Sequence, residues 1–244
     1  MTQPHIRVLP DPAAVAREAA ELFVASAERA IAEHEVFTVV LAGGSTPRAM
    51  YELLAADPFR SRVNWVQVEV FFGDERCVPP DDERSNYRMV KQTLLDRVPI
   101  PRDNVYRMRG EIDPNEAAKL YGLQLRDIFG DGGADLVYLG MGEDGHTASL
   151  FPHTTALGEQ EHRCVANHVP HDYLPAGTAW RLTLTAPFLN RGRHVVVACT
   201  GADKAARIAE VLEGDEDPQR LPIQLIQPTS GEFTWLLDAA AAGM

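Results

Sequence analysis

Of the 244 residues only three are cysteine: Cys77, Cys164 and Cys199. The count is odd and no Cys-x-x-Cys pair occurs, which argues against a disulfide framework and for reduced thiols in a cytoplasmic protein. No apolar run approaches the ~18 residues that cross a bilayer. The opening Met1-Thr2-Gln3-Pro4-His5 lacks the basic-then-apolar pattern of a signal peptide. Positive charge is in short supply: 23 Lys and Arg against 35 Asp and Glu leave a net charge of −12. A nucleic acid or an anionic membrane would meet a repelling mean field. A small anionic ligand is compatible with this balance, but it needs a local cationic pocket. No internal repeat and no low-complexity linker divides the chain, so one domain spanning residues 1–244 is expected. What is present is an ordinary globular balance, 45% hydrophobic and 24% charged.

Asp11-Pro12 and Asp113-Pro114 each offer a carboxylate cap followed by proline at a first helical turn. Val15, Ala19, Leu22, Phe23, Ala27, Ala30 and Ile31 follow the first at helical spacing; the second helix ends near Phe129. Val36–Leu41, Val66–Phe72 and Asp135–Leu139 are short apolar runs of the kind that become buried strands. Weaker strand signals cover Arg163–His168, Trp180–Thr185, His194–Cys199 and Phe233–Leu237. Helices are expected after Pro47, from Ser85 to Leu95 and from Ala202 to Leu212, and Gly73–Arg84 reads as a polar loop. Strand, loop and helix in repetition predict an α/β fold with a mostly parallel sheet and helices on both faces.

Ligands of open α/β sheets bind at the carboxyl ends of the strands. Four loops leave such ends: Gly43–Pro47, Gly73–Asn86, Gly140–Pro152 and Thr200–Lys204. Gly43-Gly44-Ser45-Thr46-Pro47 permits close ligand approach and precedes a helix N-terminus, which suits an anion. By itself it is equally an ordinary strand-to-helix turn. It is not a Walker loop, because Gly-Lys-Ser/Thr is missing. In Gly73-Asp74-Glu75-Arg76, Arg76 has the fork to grip a phosphate or carboxylate, while Glu75 reads better as an ion-pair partner. Ser85-Asn86-Tyr87 reads as a helix cap. Lys204, expected in the first turn of the last helix, opposes the helix dipole there and so points to a ligand role. Arg48 ranks below it as a helix-surface arginine.

The sharpest segment is Gly140-Met141-Gly142-Glu143-Asp144-Gly145-His146. It contains Gly-x-Gly-x-x-Gly, yet a dinucleotide site also needs an acidic residue ~20 positions on, at the end of the next strand, and a regular helix after the third glycine. Neither is present, since Pro152 ends the segment early. The alternative is that the glycines expose His146 as a general base, with Asp144 near enough in sequence to fix its tautomer. Zinc is not expected: the histidines, among them His146, His153, His162, His168 and His171, show no ligand spacing. Gly-x-Ser-x-Gly is absent, so a serine-hydrolase elbow has no support.

Taken together, Gly43–Pro47, Gly73-Asp74-Glu75-Arg76 with Ser85-Asn86-Tyr87, and Gly140-x-Gly142-x-Asp144-Gly145-His146-x-Ala148-Ser149-Leu150-Phe151-Pro152 resemble the signature of the 6-phosphogluconolactonases. The resemblance extends over nearly the whole chain, including Gly201-Ala202-Asp203-Lys204. It implies a modified Rossmann-like fold of the deaminase/isomerase/CoA-transferase type, with no metal and no organic cofactor. The implied reaction is hydrolysis of 6-phospho-D-glucono-1,5-lactone in the pentose phosphate pathway. The implied catalytic set is His146, Asp144 and Arg76. Gly43, Gly44, Ser45, Thr46, Asp74 and Lys204 are implied on the substrate, and Arg76 meets either the phosphate or the oxyanion. The implied partner is the sugar phosphate alone, with neither nucleic acid nor membrane, and the protein is expected to be a monomer or a weak oligomer. Glucosamine-6-phosphate deaminases share the glycine loop and the Gly-His step. They typically continue Phe-Asn-Glu-Pro and carry Asp-Glu-Tyr where this chain has Asp74-Glu75-Arg76. A catalytically silent sugar-phosphate binder is the reading from another class.

Overall fold

A computed structural model describes residues 2–170 and 179–244; His171, one of the histidines weighed above, lies outside the described residues. The strands are β1 (His5–Leu9), β2 (Phe37–Leu41), β3 (Val68–Phe72), β4 (Asp74–Arg76), β5 (Leu136–Leu139), β6 (Cys164–His168), β7 (Trp180–Leu184), β8 (His194–Cys199) and β9 (Glu232–Asp238). The α-helices are α1 (Pro12–His34), α2 (Ser45–Leu54), α3 (Phe59–Arg62), α4 (Asn86–Val90), α5 (Pro114–Phe129), α6 (Ala186–Leu189) and α7 (Ala205–Glu213).

Both Asp-Pro starts form as their chemistry dictates. Asp11 accepts the Ala14 N–H at 2.8 Å, and Asp113 accepts those of Asn115 and Glu116 at 3.0 Å. Caps of this kind are worth about 1 kcal/mol each. Six strands form one sheet in the order β1-β9-β8-β5-β2-β3, every pair of them parallel. Every residue of β2, β5 and β8 is buried. That is why these strands read as unbroken apolar runs rather than alternating ones: both faces are covered. Tyr138 of β5 donates its hydroxyl to Ala19 O of α1 at 2.6 Å, which fixes the helix against the sheet. Cys77, Cys164 and Cys199 are all free thiols.

The structure departs from the sequence reading in three places. The first is β1, a five-residue edge strand whose Ile6 and Val8 are each 44% exposed; so short a segment with charged alternation carries no strand signature. The second is β4. Asp74–Arg76 lies in the expected polar loop but pairs antiparallel with β7, which pairs with β6 to give a second, three-stranded sheet. Gly73 joins the two sheets, donating its N–H to Leu41 O at 2.9 Å and accepting from Leu184 N at 2.8 Å. The third is the helix expected over Ser85–Leu95, which is α4 followed by a π-helical turn at Lys91–Leu95.

Candidate active site

Because the strands of the large sheet are parallel, β2, β3, β5 and β8 release their following segments at one edge. A cavity of about 390 Å³ opens there. Gly43, Gly44, Ser45 and Thr46 line it from the β2 loop, Asp74 and Arg76 from β4, His146 from the β5 loop, and Lys204 from the β8 loop. The fall of residues from four separate segments onto one volume follows from strand direction, not from any one motif.

The β2 turn is fitted to its neighbour. A Cβ on Gly43 would stand 2.1 Å from Asn86 Oδ1, so only glycine lets that asparagine approach. Gly44 precedes α2 with φ of 107° and brings no side chain to the helix's first N–H groups. Those groups point to the end of the helix where an anion is favoured. Thr46 and Thr200 share a hydroxyl hydrogen bond of 2.9 Å, tying this turn to the β8 loop.

On β4 the three residues take different tasks. Glu75, 2% exposed, accepts the N–H groups of Arg76, Asn86 and Tyr87 at 2.7–2.8 Å and the Ser85 hydroxyl at 3.0 Å. It holds the start of α4 and faces away from the cavity. Asp74 accepts Ser149 Oγ at 2.6 Å and Asn86 Nδ2 at 3.0 Å. Arg76 donates to Arg84 O.

In the β5 loop, Asp144 Oδ1 lies 2.6 Å from His146 Nδ1 and accepts the His146 backbone N–H at 3.1 Å. Burial works to raise the Asp144 pKa, but the ring hydrogen bond and charge of His146 and its N–H overcome that and hold it below the usual carboxylate value. An ionised carboxylate can only accept, so Nδ1 carries the proton and the Nε2 lone pair is left available. The imidazole lies flat on Phe151, with ring centroids 4.1 Å apart and planes 17° from parallel. A Cβ on Gly142 would stand 2.2 Å from two ring atoms of His146, which is the local reason for that glycine. Gly145 and Ala148 both take positive φ, 84° and 47°, so the chain reverses tightly on either side of the histidine. Asp144 does not line the cavity; it reaches it only through His146.

Lys204 closes the short 3-10 turn Ala202–Lys204 just before α7, rather than lying inside the helix, and donates Nζ to Met141 O at 2.9 Å. Arg48 pairs with Glu52 on the exposed face of α2 at 3.3 Å and is not among the cavity residues. Among the described residues no three of His, Cys, Asp and Glu converge as a metal site.

Asn86, Ser149 and Phe151 also line the cavity; they stand in the quoted motifs without having been given a site role, and the cavity residue Arg181 stands in none of them. For Arg181 a signal existed. In Trp180-Arg181-Leu182-Thr183-Leu184 the two leucines are fully buried, so period-two alternation puts Arg181 and Thr183 together on the opposite face.

Residues 10–235 match the family model described as glucosamine-6-phosphate isomerases/6-phosphogluconolactonase. A 6-phosphogluconolactonase of Nostoc sp. is 38% identical over 242 residues, covering 97% of this chain and 96% of its own. The 6-phosphogluconolactonase of Homo sapiens is 40% identical over 210 residues, with coverages of 84% and 80%. Among solved structures, 6-phosphogluconolactonase from Trypanosoma cruzi superposes with a TM-score of 0.87 at 27% identity over 99% of this chain and 96% of that one. A monomeric glucosamine-6-phosphate deaminase reaches a TM-score of 0.83 at 20% identity, over 98% and 99% of the two chains, which shows a common fold.

Proposed function

The chain belongs to the family of glucosamine-6-phosphate isomerases and 6-phosphogluconolactonases, and from that premise we propose that it hydrolyses 6-phospho-D-glucono-1,5-lactone to 6-phospho-D-gluconate in the oxidative pentose phosphate pathway, with His146 as general base. The observation that carries this reading is the Asp144–His146 pair at 2.6 Å, whose imidazole lines the same cavity as a helix N-terminus and the cations Arg76 and Lys204.

A six-membered lactone is a reactive ester whose alkoxide leaving group stays tethered. Positioning, a base and charge stabilisation suffice, without a covalent nucleophile. His146 Nε2 takes a proton from water and the hydroxide attacks C1. Asp144 keeps the ring in the right tautomer and stabilises the imidazolium. The C1–O5 bond then breaks, and His146 returns the proton to O5. Base catalysis of this kind typically contributes about 10²–10⁴-fold. The phosphate lies against Ser45, Thr46 and the first N–H groups of α2, with Lys204 beside it. Arg76 serves the phosphate or the oxyanion. The reading includes no metal and no organic cofactor, and it has the enzyme act in the cytoplasm as a monomer or weak oligomer, apart from nucleic acid and membrane. Among the described residues no helix is long and apolar enough to cross a membrane.

The deaminase alternative is disfavoured at one position. What stacks on His146 is the Phe151 ring, and the Ala148–Pro152 segment has no carboxylate to support the histidine. The deciding experiment is turnover of freshly generated 6-phosphogluconolactone, corrected for spontaneous ring opening, alongside ammonia release from glucosamine 6-phosphate. Lactone hydrolysis well above background without ammonia is expected; ammonia release, or no gain over background, overturns the reading.

A further inference from the structure

Asp144 holds the His146 ring at Nδ1. The imidazole is 30% exposed, and a hydrogen bond at one ring atom leaves the plane free to tilt about it. The aim of Nε2 therefore needs a second constraint. Phe151 supplies a flat one: it is 5% exposed, and its ring lies 4.1 Å from the imidazole centroid and 17° from parallel. Stacked rings prefer defined offsets and angles, so whatever fixes Phe151 also fixes the tilt of the base.

Phe151 is fixed through its backbone. Its carbonyl accepts the Thr154 N–H at 3.3 Å and the Thr154 hydroxyl at 2.7 Å. Thr154 Oγ1 in turn accepts Asn167 Nδ2 at 3.0 Å, and the same amide donates to Ser149 O at 2.8 Å. One side chain thus spans both ends of the turn 149–154, with Phe151 between them. Asn167 belongs to β6, is fully buried and does not line the cavity. It stands in none of the sequence motifs. From β7 of the same small sheet, Thr183 Oγ1 accepts the Ser149 N–H at 3.1 Å, so two strands grip this loop.

The partners dictate which way the Asn167 amide faces. Ser149 O can only accept, and the Thr154 hydroxyl proton is already given to Phe151 O, so only an NH2 group satisfies both. This arrangement carries a penalty. Asn167 Oδ1 has no hydrogen-bond partner among the described residues, and a buried acceptor left unpaired destabilises a fold. Leucine has the same branched shape and would leave no orphaned oxygen, but it cannot bridge the two acceptors. A buried polar group kept at such a penalty calls for an explanation, and placement of the loop that carries the base provides one.

We propose that Asn167 is a positioning residue for His146: by pinning the turn 149–154 it sets the plane of the Phe151 ring, and that ring sets the aim of Nε2. The inference rests on the lactonase reading with His146 as base, and extends it to a side chain outside the cavity.

The test compares wild type with Asn167→Asp, Phe151→Leu and Phe151→Tyr in turnover of 6-phosphogluconolactone. It also reads the His146 ring protons by NMR, assigned by their loss in His146→Ala; stacking on the Phe151 ring shifts them upfield. Asn167→Asp keeps the size of the side chain but sets an oxygen against two acceptors. It is expected to lower kcat about 10- to 100-fold, as a displacement approaching 1 Å does, with KM little changed and the upfield shift reduced. Phe151→Leu is expected to lose kcat to a similar extent, while Phe151→Tyr, which keeps the flat face, stays near wild type. Asn167→Leu removes the bridge and the orphaned oxygen together, and replaces the aspartate variant if that one does not fold. Wild-type kcat or an unmoved ring-proton shift in the Asn167 variant overturns the proposal, even where its thermal midpoint falls, because a merely structural role predicts that outcome. A loss confined to KM, or a tyrosine variant as slow as the leucine one, overturns it too. If wild type fails to open the lactone above background, the lactonase reading falls, and the ring-proton shift still decides whether Asn167 places the imidazole.

Discussion

Ser149 gives its hydroxyl proton to Oδ2 of Asp74 over 2.6 Å. The bond joins the loop after β5, which carries His146, to β4, which carries Arg76. Ser149 is held from two other sides: its N–H reaches Thr183 Oγ1 at 3.1 Å, and its carbonyl accepts Asn167 Nδ2 at 2.8 Å. The spacing between the His146 imidazole and the Arg76 guanidinium therefore depends on a contact made by a residue that need not touch the substrate.

Among the described residues, removing that hydroxyl leaves Asp74 with Asn86 as its side-chain hydrogen-bond partner. Hydrogen bonds to charged groups contribute about 1.5–3 kcal/mol. Ser149→Ala is expected to lower kcat/KM about 10- to 100-fold with a small change in thermal midpoint. Steady-state kinetics beside a melting curve checks this, and unchanged kinetics would show that the two loops hold their places without the bond.

The base itself is tested through His146→Ala and Asp144→Asn. The first is expected to lower kcat by about 10²–10⁴-fold with KM little changed. Asp144 is held below the usual carboxylate range, so the ionised acceptor is lost only at a pH below that range. Asp144→Asn removes the ionised acceptor and is expected to lower kcat. A His146→Ala protein with wild-type turnover would remove the imidazole from the mechanism.

Gly142→Ala puts a methyl group 2.2 Å from Nδ1 and Cε1 of His146 and 2.7 Å from Asp144 Oδ1, so the pair must move. A displacement near 1 Å costs about 10²-fold in rate. A loss of kcat of that order is expected while circular dichroism stays native. Full activity in the alanine variant would mean that the observed Asp144–His146 geometry is not the working one.

Lys204 donates to Met141 O and lines the cavity. Lys204→Ala is expected to weaken the phosphorylated lactone more than the unphosphorylated one, read as a rise in KM of about tenfold. Equal effects on both substrates would place the ammonium away from the phosphate.

At the opposite edge of the sheet, His194 is 2% exposed, with Nε2 bonded to Thr234 Oγ1 at 2.9 Å and, among the described residues, no hydrogen bond at Nδ1. Burial lowers its pKa from 6.5; Glu232, 4.0 Å away, works against the shift, and Arg29 and Arg7 work with it. Above the unfolded value both states are neutral and nothing is lost. As pH falls below it, the unfolded chain takes up a proton that the folded chain refuses, so stability drops. Denaturant midpoints at pH 8 and pH 5.5 should therefore differ more for wild type than for His194→Gln. An equal acid loss in both would assign the effect to other groups.

The sequence by itself determined the alternation of strand and helix, the Asp-Pro helix starts and the three buried strands, because burial on both faces and capping chemistry leave local marks. It also marked the loops at Gly43 and His146, which the fold brings to one cavity, because glycine is needed where a ring or an amide approaches a backbone. Tertiary structure alone decided the rest. Three polar residues such as Asp74, Glu75 and Arg76 look like a loop until β7 supplies their hydrogen bonds. Glu75 becomes a helix anchor only once Asn86 and Tyr87 arrive beside it. Arg181 lies 105 positions beyond Arg76, and nothing local announces that the two will stand opposite each other; the antiparallel register brings them together. Local pattern records which face a residue turns to, but not which residue it will meet there, because that depends on pairings closed across long stretches of chain.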